Sequence, residues 1–207
     1  MPTQIPLFPL GTVLFPDGLL SLQVFEVRYL DMIGKCQKAE APFGVVLLTR
    51  GTEVRKPDAT EEFRPVGTLA TIESVQSVQP GLLTVRCIGS QRFRIDRSAR
   101  QPHGLWTAEV QTIAGDGKVP VPDDLLSTSD ALGRLLEALR ERQDGTHPLP
   151  IAEPLELGDC GWVSNRWCEL LPMAPATRQR LMELDNPLVR LELVSDLLSK
   201  NGIVPSA

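Results

Sequence analysis

The chain has 207 residues, 42% of them hydrophobic and 23% charged, with a formal net charge of −5. That supplies the core of one large domain or two small ones, mainly aliphatic because aromatics are only 5%. The acidic balance argues against strong nonspecific nucleic-acid binding, which needs a positive field, and no apolar run approaches the ~20 residues of a membrane span.

Residues 5–33 open the chain with a strand, a turn, a second strand and a helix. Ile5, Leu7 and Phe8 are apolar, but Pro6 and Pro9 cannot donate to a ladder, so this strand is expected at an edge or a strand end. Phe15-Pro16-Asp17-Gly18 reads as a turn in which Pro16 presets φ and Gly18 supplies φ > 0. Leu20, Leu22 and Val24 alternate with Ser21, Gln23 and Phe25, the period of a half-buried strand. Tyr29, Leu30, Ile33 and Cys36 then fall at helical intervals, predicting a helix over 26–39.

Phe43–Thr49 is a continuous apolar run and predicts a central strand buried on both faces. Residues 50–65 carry charges, Pro57 and Pro65, and read as an exposed loop. Strands are predicted at 66–72 and 75–78, then, after the Pro80-Gly81 turn, at 82–88. Gly89-Ser90 reads as another turn, followed by a strand at 91–96 with Phe93 and Ile95 inward and Arg92 and Arg94 outward. A last strand spans 105–113. Turns at such intervals indicate an antiparallel, curled sheet or barrel.

Residues 114–123 hold two glycines and two prolines and read as a linker. Everything after it is helical: 124–142, 162–171, 175–184 and a last helix led by Asn186-Pro187, joined by a Pro-rich stretch at 145–158. Lysine and arginine against aspartate and glutamate number 12 and 11 in 1–113 but 9 and 15 in 114–207. That asymmetry fits two structural units, 1–113 and 124–202.

PLFPLGTVLFP followed by LQVFEVRYLDMI resembles the opening of the Lon substrate-binding domain, found at the N-terminus of Lon-type ATP-dependent proteases and alone in small bacterial proteins. GTLATI at 67–72, TVRCIGSQRFRI at 84–95 and the segment from Leu170 to Leu198 are similar to later parts of that family, so the resemblance covers nearly the whole chain. It implies an α+β fold: a six-stranded PUA-like pseudo-barrel with one helix, then a C-terminal helical bundle. It also implies that Pro9, Pro16, Phe25, Glu26, Arg28, Tyr29, Gly44, Gly67, Arg92 and Phe93 are motif residues with structural duties. Glu26 and Arg28 read as a hydrogen-bonded tie of the first helix to the barrel, and Phe25 and Tyr29 read as core anchors, since a strand-to-helix junction needs bulk to fix its packing angle.

The function implied is non-catalytic capture of unfolded or flexible polypeptide, as an adaptor or holdase working with a protease or chaperone. The alternative is an RNA- or small-molecule-binding module using the arginine face Arg86, Arg92, Arg94, Arg97 and Arg100. Base-stacking aromatics are not interleaved on that face, which favours a solvated sheet surface.

Enzymatic motifs are wanting. No GxxxxGK[ST] or GxSxG occurs, and Ser199-Lys200 is a dipeptide whose side chains point to different helix faces. His103 and His147 sit in turns. Cys36, Cys87, Cys160 and Cys168 show no CxxC spacing, and with Trp162 and Trp167 the last two read as core packing. No cofactor, metal or membrane partner is expected, and a cytoplasmic location with reduced thiols is the expectation.

Overall fold

The first strand, β1 (Thr3–Leu10), lies inside the sheet rather than at its rim. The computed structural model describes residues 3–54, 60–142 and 151–204. In it β1 pairs antiparallel with β6 (Trp106–Thr112) over Thr3–Leu7 and parallel with β3 (Phe43–Arg50) over Leu7–Leu10. The two ladders meet at Leu7. Pro6 and Pro9 therefore each stand where β1 has a single ladder neighbour, which is how an interior strand accommodates them.

The remaining strands are β2 (Leu19–Val24), β4 (Glu62–Gln79) and β5 (Leu82–Arg100). The order is β2-β5-β4-β3-β1-β6, and a further β5–β6 pairing closes the last five strands on themselves. β3 is buried on both faces, as its apolar run predicts: Phe43 and Val45 face one cluster with Phe8, Tyr29 and Ile33, and Val46 faces another with Ile5, Leu7 and Phe93.

Three local expectations change. The exposed loop is shorter than 50–65, because Glu62–Pro65 already belong to β4; Pro65 is tolerated where the β3–β4 register slips between Val46 and Leu48. Residues 55–59 of that loop lie outside the described residues. Gly89-Ser90 is no turn: β5 runs through it. A Cβ on Gly89 would meet the Phe15 carbonyl oxygen at 2.1 Å, and the Gly89 N–H and C=O bond Gly18 and Asp17 at 2.8 Å. This glycine lets another backbone come close. In the turn itself Asp17, with φ 59°, takes the left-handed conformation in place of Gly18.

Helix α1 (Val27–Ala39) follows β2 and buries Arg28, Tyr29, Met32, Ile33 and Cys36. A 3-10 turn at Asp123–Leu125 leads into α2 (Leu126–Arg142), then α3 (Cys160–Leu170), α4 (Pro175–Glu183) and α5 (Pro187–Lys200). α3 is buried from Cys160 to Cys168 and is capped by Asp159, which accepts from the Trp162 N–H at 2.8 Å. The described residues thus combine a six-stranded sheet with five α-helices, and the chain divides into two units, Met1–Gly115 and Asp116–Ala207. Residues 116–121 are fastened within the second unit: Val119 N–H donates to Asp159 Oδ1 at 2.9 Å, and Cys160 N–H to the Val119 carbonyl at 2.8 Å.

Candidate functional site

The junction between β2 and α1 is built from alternation and then broken by it. Leu22 and Val24 point into the core, so Ser21, Gln23 and Phe25 share the outward parity. Phe25 is 51% exposed and Val27 73%. The expectation that Phe25 is a core anchor is corrected: its parity outweighs its bulk. Tyr29 is the anchor, buried and stacked on Phe8 at 3.9 Å between centroids and 22° between planes. Burial raises the Tyr29 phenol above its ordinary pKa, opposed by Arg28 and reinforced by Glu61, Glu26 and Glu53.

Arg28 is buried, and its guanidinium carbon lies 4.5 Å from the centre of the Tyr29 ring. Its Nη1 donates to the Gly104 carbonyl at 2.8 Å, and its Nε stands 3.3 Å from Glu26 Oε2. Nη2 reaches the Glu53 carbonyl at 3.4 Å, and Nη1 lies 3.6 Å from Glu61 Oε1. Glu26 and Arg28 are paired, and through Arg28 the start of α1 is joined to the connections at Glu53 and Gly104 and to Glu61, just before β4. Glu53 is held at a second point, where its Oε1 accepts the Gly11 N–H at 2.6 Å. Its neighbour Val54 is half exposed.

Glu61 is the second hub. It is buried, accepts a short hydrogen bond from Trp106 Nε1 and lies 3.9 Å from Arg100. Trp106 meets Phe63 edge-to-face at 5.2 Å. Beside this pair runs an open groove of about 650 Å³, lined by Thr49, Glu61, Phe63, Pro65, Ser98 and Trp106 among others. None of Glu53, Glu61, Gly104 or Trp106 was legible as a site residue. They stand 25 to 76 positions from Arg28 or 45 from one another, and no local period joins them.

The other motif residues pack. A Cβ on Gly44 would meet Phe93 Cζ at 2.7 Å, and one on Gly67 would meet it at 2.8 Å and the Val45 carbonyl oxygen at 2.3 Å. The two glycines make room for the buried Phe93 ring. Pro9 stands in β1 opposite Val46, and Pro16 leads the turn at Asp17.

The arginine face is not one surface. Arg92, expected outward, is buried opposite Thr68 in the β4–β5 ladder. The Thr68 hydroxyl donates to the Leu14 carbonyl at 2.6 Å, so the segment before the turn covers that side of the sheet. Arg86 lies 3.9 Å from Glu73, Arg97 stands opposite Glu109, and Arg100 reaches Glu61; Arg94 is exposed. The five residues do not converge.

His103 is exposed in its turn, and His147 lies outside the described residues. All four cysteines are buried as free thiols, and burial pushes Cys87 and Cys168 up to about 12. Among the described residues no group of three or more His, Cys, Asp or Glu is placed to hold a metal, and no helix is long and apolar enough to cross a membrane. Ser199 and Lys200 border a small recess with Asp124, Glu192, Ser195 and Asp196 in the second unit. In that unit Arg190 is almost fully buried and held by Asp116 at 2.6 Å and Asn165 at 3.0 Å.

Compared with known proteins, residues 4–200 match the family model for the ATP-dependent protease La (LON) substrate-binding domain. The chain is 26% identical over 201 residues to Lon protease 2 of Herpetosiphon aurantiacus, covering 95% of this chain and 24% of that protein. It is 28% identical over 141 residues to Lon protease 1 of Bdellovibrio bacteriovorus, covering 68% and 16%. The chain spans about a quarter or less of these curated relatives. The crystal structure of a Lon N-terminal domain protein from Xanthomonas campestris superposes with a TM-score of 0.72 at 30% identity, over 94% of this chain and 98% of that one. The N-terminal domain of a Mycobacterium avium complex Lon protease shares the fold, with a TM-score of 0.61 at 17% identity, over 95% and 98%.

Proposed function

The chain belongs to the LON substrate-binding domain family, and from that membership we propose that it is a non-catalytic module that captures unfolded or flexible polypeptide. It would act as an adaptor or holdase in protein quality control, passing its client to a protease or chaperone. By itself it neither hydrolyses ATP nor cleaves peptide bonds.

The observation that carries this reading is the exposed pair Phe25 and Val27. Both are held outward on a junction braced from beneath by buried Arg28 and Tyr29. Large apolar groups fixed in water at a rigid junction offer a binding surface with little ordering cost. Val54, on the loop that Arg28 holds through Glu53, adds a third exposed apolar side chain to elements tied to this hub. We read the first unit as the PUA-like pseudo-barrel of the family and the second as its helical bundle, with the boundary inside 114–123.

The test is binding of a permanently unfolded polypeptide, such as a reduced and carboxymethylated protein, followed by fluorescence anisotropy. The expected result is saturable binding that Phe25→Ala with Val27→Ser abolishes while the melting temperature holds. Absence of binding, or equal binding by the double variant, would overturn the reading. Limited proteolysis with a first cut at either end of 114–123, outside the segment held at Val119 and Val121, would support the two-unit boundary, and a first cut within 66–96 would contradict the strand assignments.

A further inference from the structure

Among the described residues β2 is the one strand with a single ladder partner. Every residue from Leu19 to Val24 stands in register with β5, from Ile88 to Leu83, without a bulge. An antiparallel ladder uses the N–H and C=O of alternate residues, and the other residues direct theirs away from the partner. Those outward groups of β2 bond no other described backbone. Along this strand Ser21 and Gln23 are exposed, while Leu22 and Val24 are buried.

Natural sheet edges are guarded by lysines, prolines, bulges or inward charges, because an open ladder templates further pairing. β2 reads Leu-Leu-Ser-Leu-Gln-Val and carries none of these guards. It runs directly into the exposed Phe25 and Val27, and the flanking carboxylate of Glu26 is already matched by Arg28.

We propose that β2 is the docking edge of this protein, and that an extended segment of unfolded polypeptide adds to it as a further strand whose terminal apolar side chain lies on Phe25. The inference rests on the polypeptide-binding reading and names where and how the client is held. A row of alternating N–H and C=O groups at about 3.4 Å per residue is complementary to another extended backbone. The strand is neutral, so it offers no charge to an anionic ligand. A second copy of this chain is the weaker occupant: a β2–β2 pair would join strands of six residues, well short of the roughly 20 residues a side of a stable interface. Recognition through backbone groups is tolerant of sequence, demanding of the client only extension and an apolar residue at one end.

The experiment uses the full chain and a short fluorescein-labelled peptide alternating valine and threonine, alongside two versions N-methylated along one edge or the other. Strand addition predicts that one methylated edge weakens binding about tenfold per hydrogen bond lost and the other leaves it unchanged. Equal binding of all three peptides would overturn strand addition while leaving polypeptide capture intact. Failure of every peptide and of a permanently unfolded protein to bind would sink the underlying reading instead. Sedimentation completes the test: a dimer broken by Gln23→Lys, a change at an exposed position of β2, would assign the edge to a second copy and overturn the proposed occupant.

Discussion

The starts of α1 and α5 are the same device finished to different degrees. Each follows a short connection, and each sets a buried arginine within its first five residues, Arg28 and Arg190. At α5 the device is complete. Asn186 Oδ1 accepts the N–H of Leu188 at 3.0 Å and of Val189 at 3.3 Å, and Pro187 occupies the first position. Arg190 donates to the Leu181 carbonyl at 2.9 Å, to Asp116 at 2.6 Å, to Asn165 at 3.0 Å and to the Leu184 carbonyl. At α1 the capping position is held by Glu26, which makes no cap bond with its side chain and turns toward Arg28. Arg28 has one close bond, to Gly104, and several contacts between 3.3 and 3.6 Å. Phe25 and Val27 stay in water. The α5 junction is a fastener whose polar groups are matched internally. The α1 junction leaves a cap unmade and sets Phe25 and Val27 outside at 51% and 73% exposure, against 39% for Val189 in the first turn of α5.

Substitutions sharpen this contrast, in decreasing order of expected cost. Arg190→Ala should cost about 3–5 kcal/mol in urea unfolding, because Asp116 and Asn165 lose their buried partner. A loss under about 1 kcal/mol would break the comparison at its stronger end. Tyr29→Ala should cost about 3 kcal/mol, through a cavity against Phe8. Arg28→Ala should cost about 2 kcal/mol: Glu61 keeps Arg100 and the Trp106 N–H, and calorimetry showing a loss as large as that of Arg190→Ala would equate the two junctions.

Asn186→Ala should cost about 1 kcal/mol, the usual value of a helix cap. The corresponding Glu26→Ala should show no cap loss, only the weakening of its contact with Arg28. Phe25→Ala should move stability by less than about 0.5 kcal/mol while abolishing capture of unfolded polypeptide. A clear drop in its melting temperature would return Phe25 to the core and remove the surface on which the proposed function stands.

The extent of α1, the double burial of β3 and the cap at Asn186 were legible because each is written in neighbouring residues: a 3.6-residue stripe, an unbroken apolar run, an Asn-Pro pair. The exposure of Phe25 was equally legible, since it shares parity with Ser21 and Gln23, and at the end of a strand alternation outweighs bulk. Gly89 is ambiguous in the sequence because a glycine that opens a turn and a glycine that admits another backbone look alike in one dimension. Only the approach of Phe15 tells them apart.

By itself, then, the sequence determined the helices, most of the strands, the family motif and the outward parity of Phe25, because these depend on contacts within a few residues. The tertiary structure decided what long-range pairing decides. It closed β5 onto β6, put β1 in the interior, and buried Arg92 beneath the segment at Leu14. It gathered Glu53, Glu61 and Gly104 around Arg28 and left β2 with one partner. A strand's own residues specify which side chains share a face. They do not specify which strand lies beside it, or whether any does.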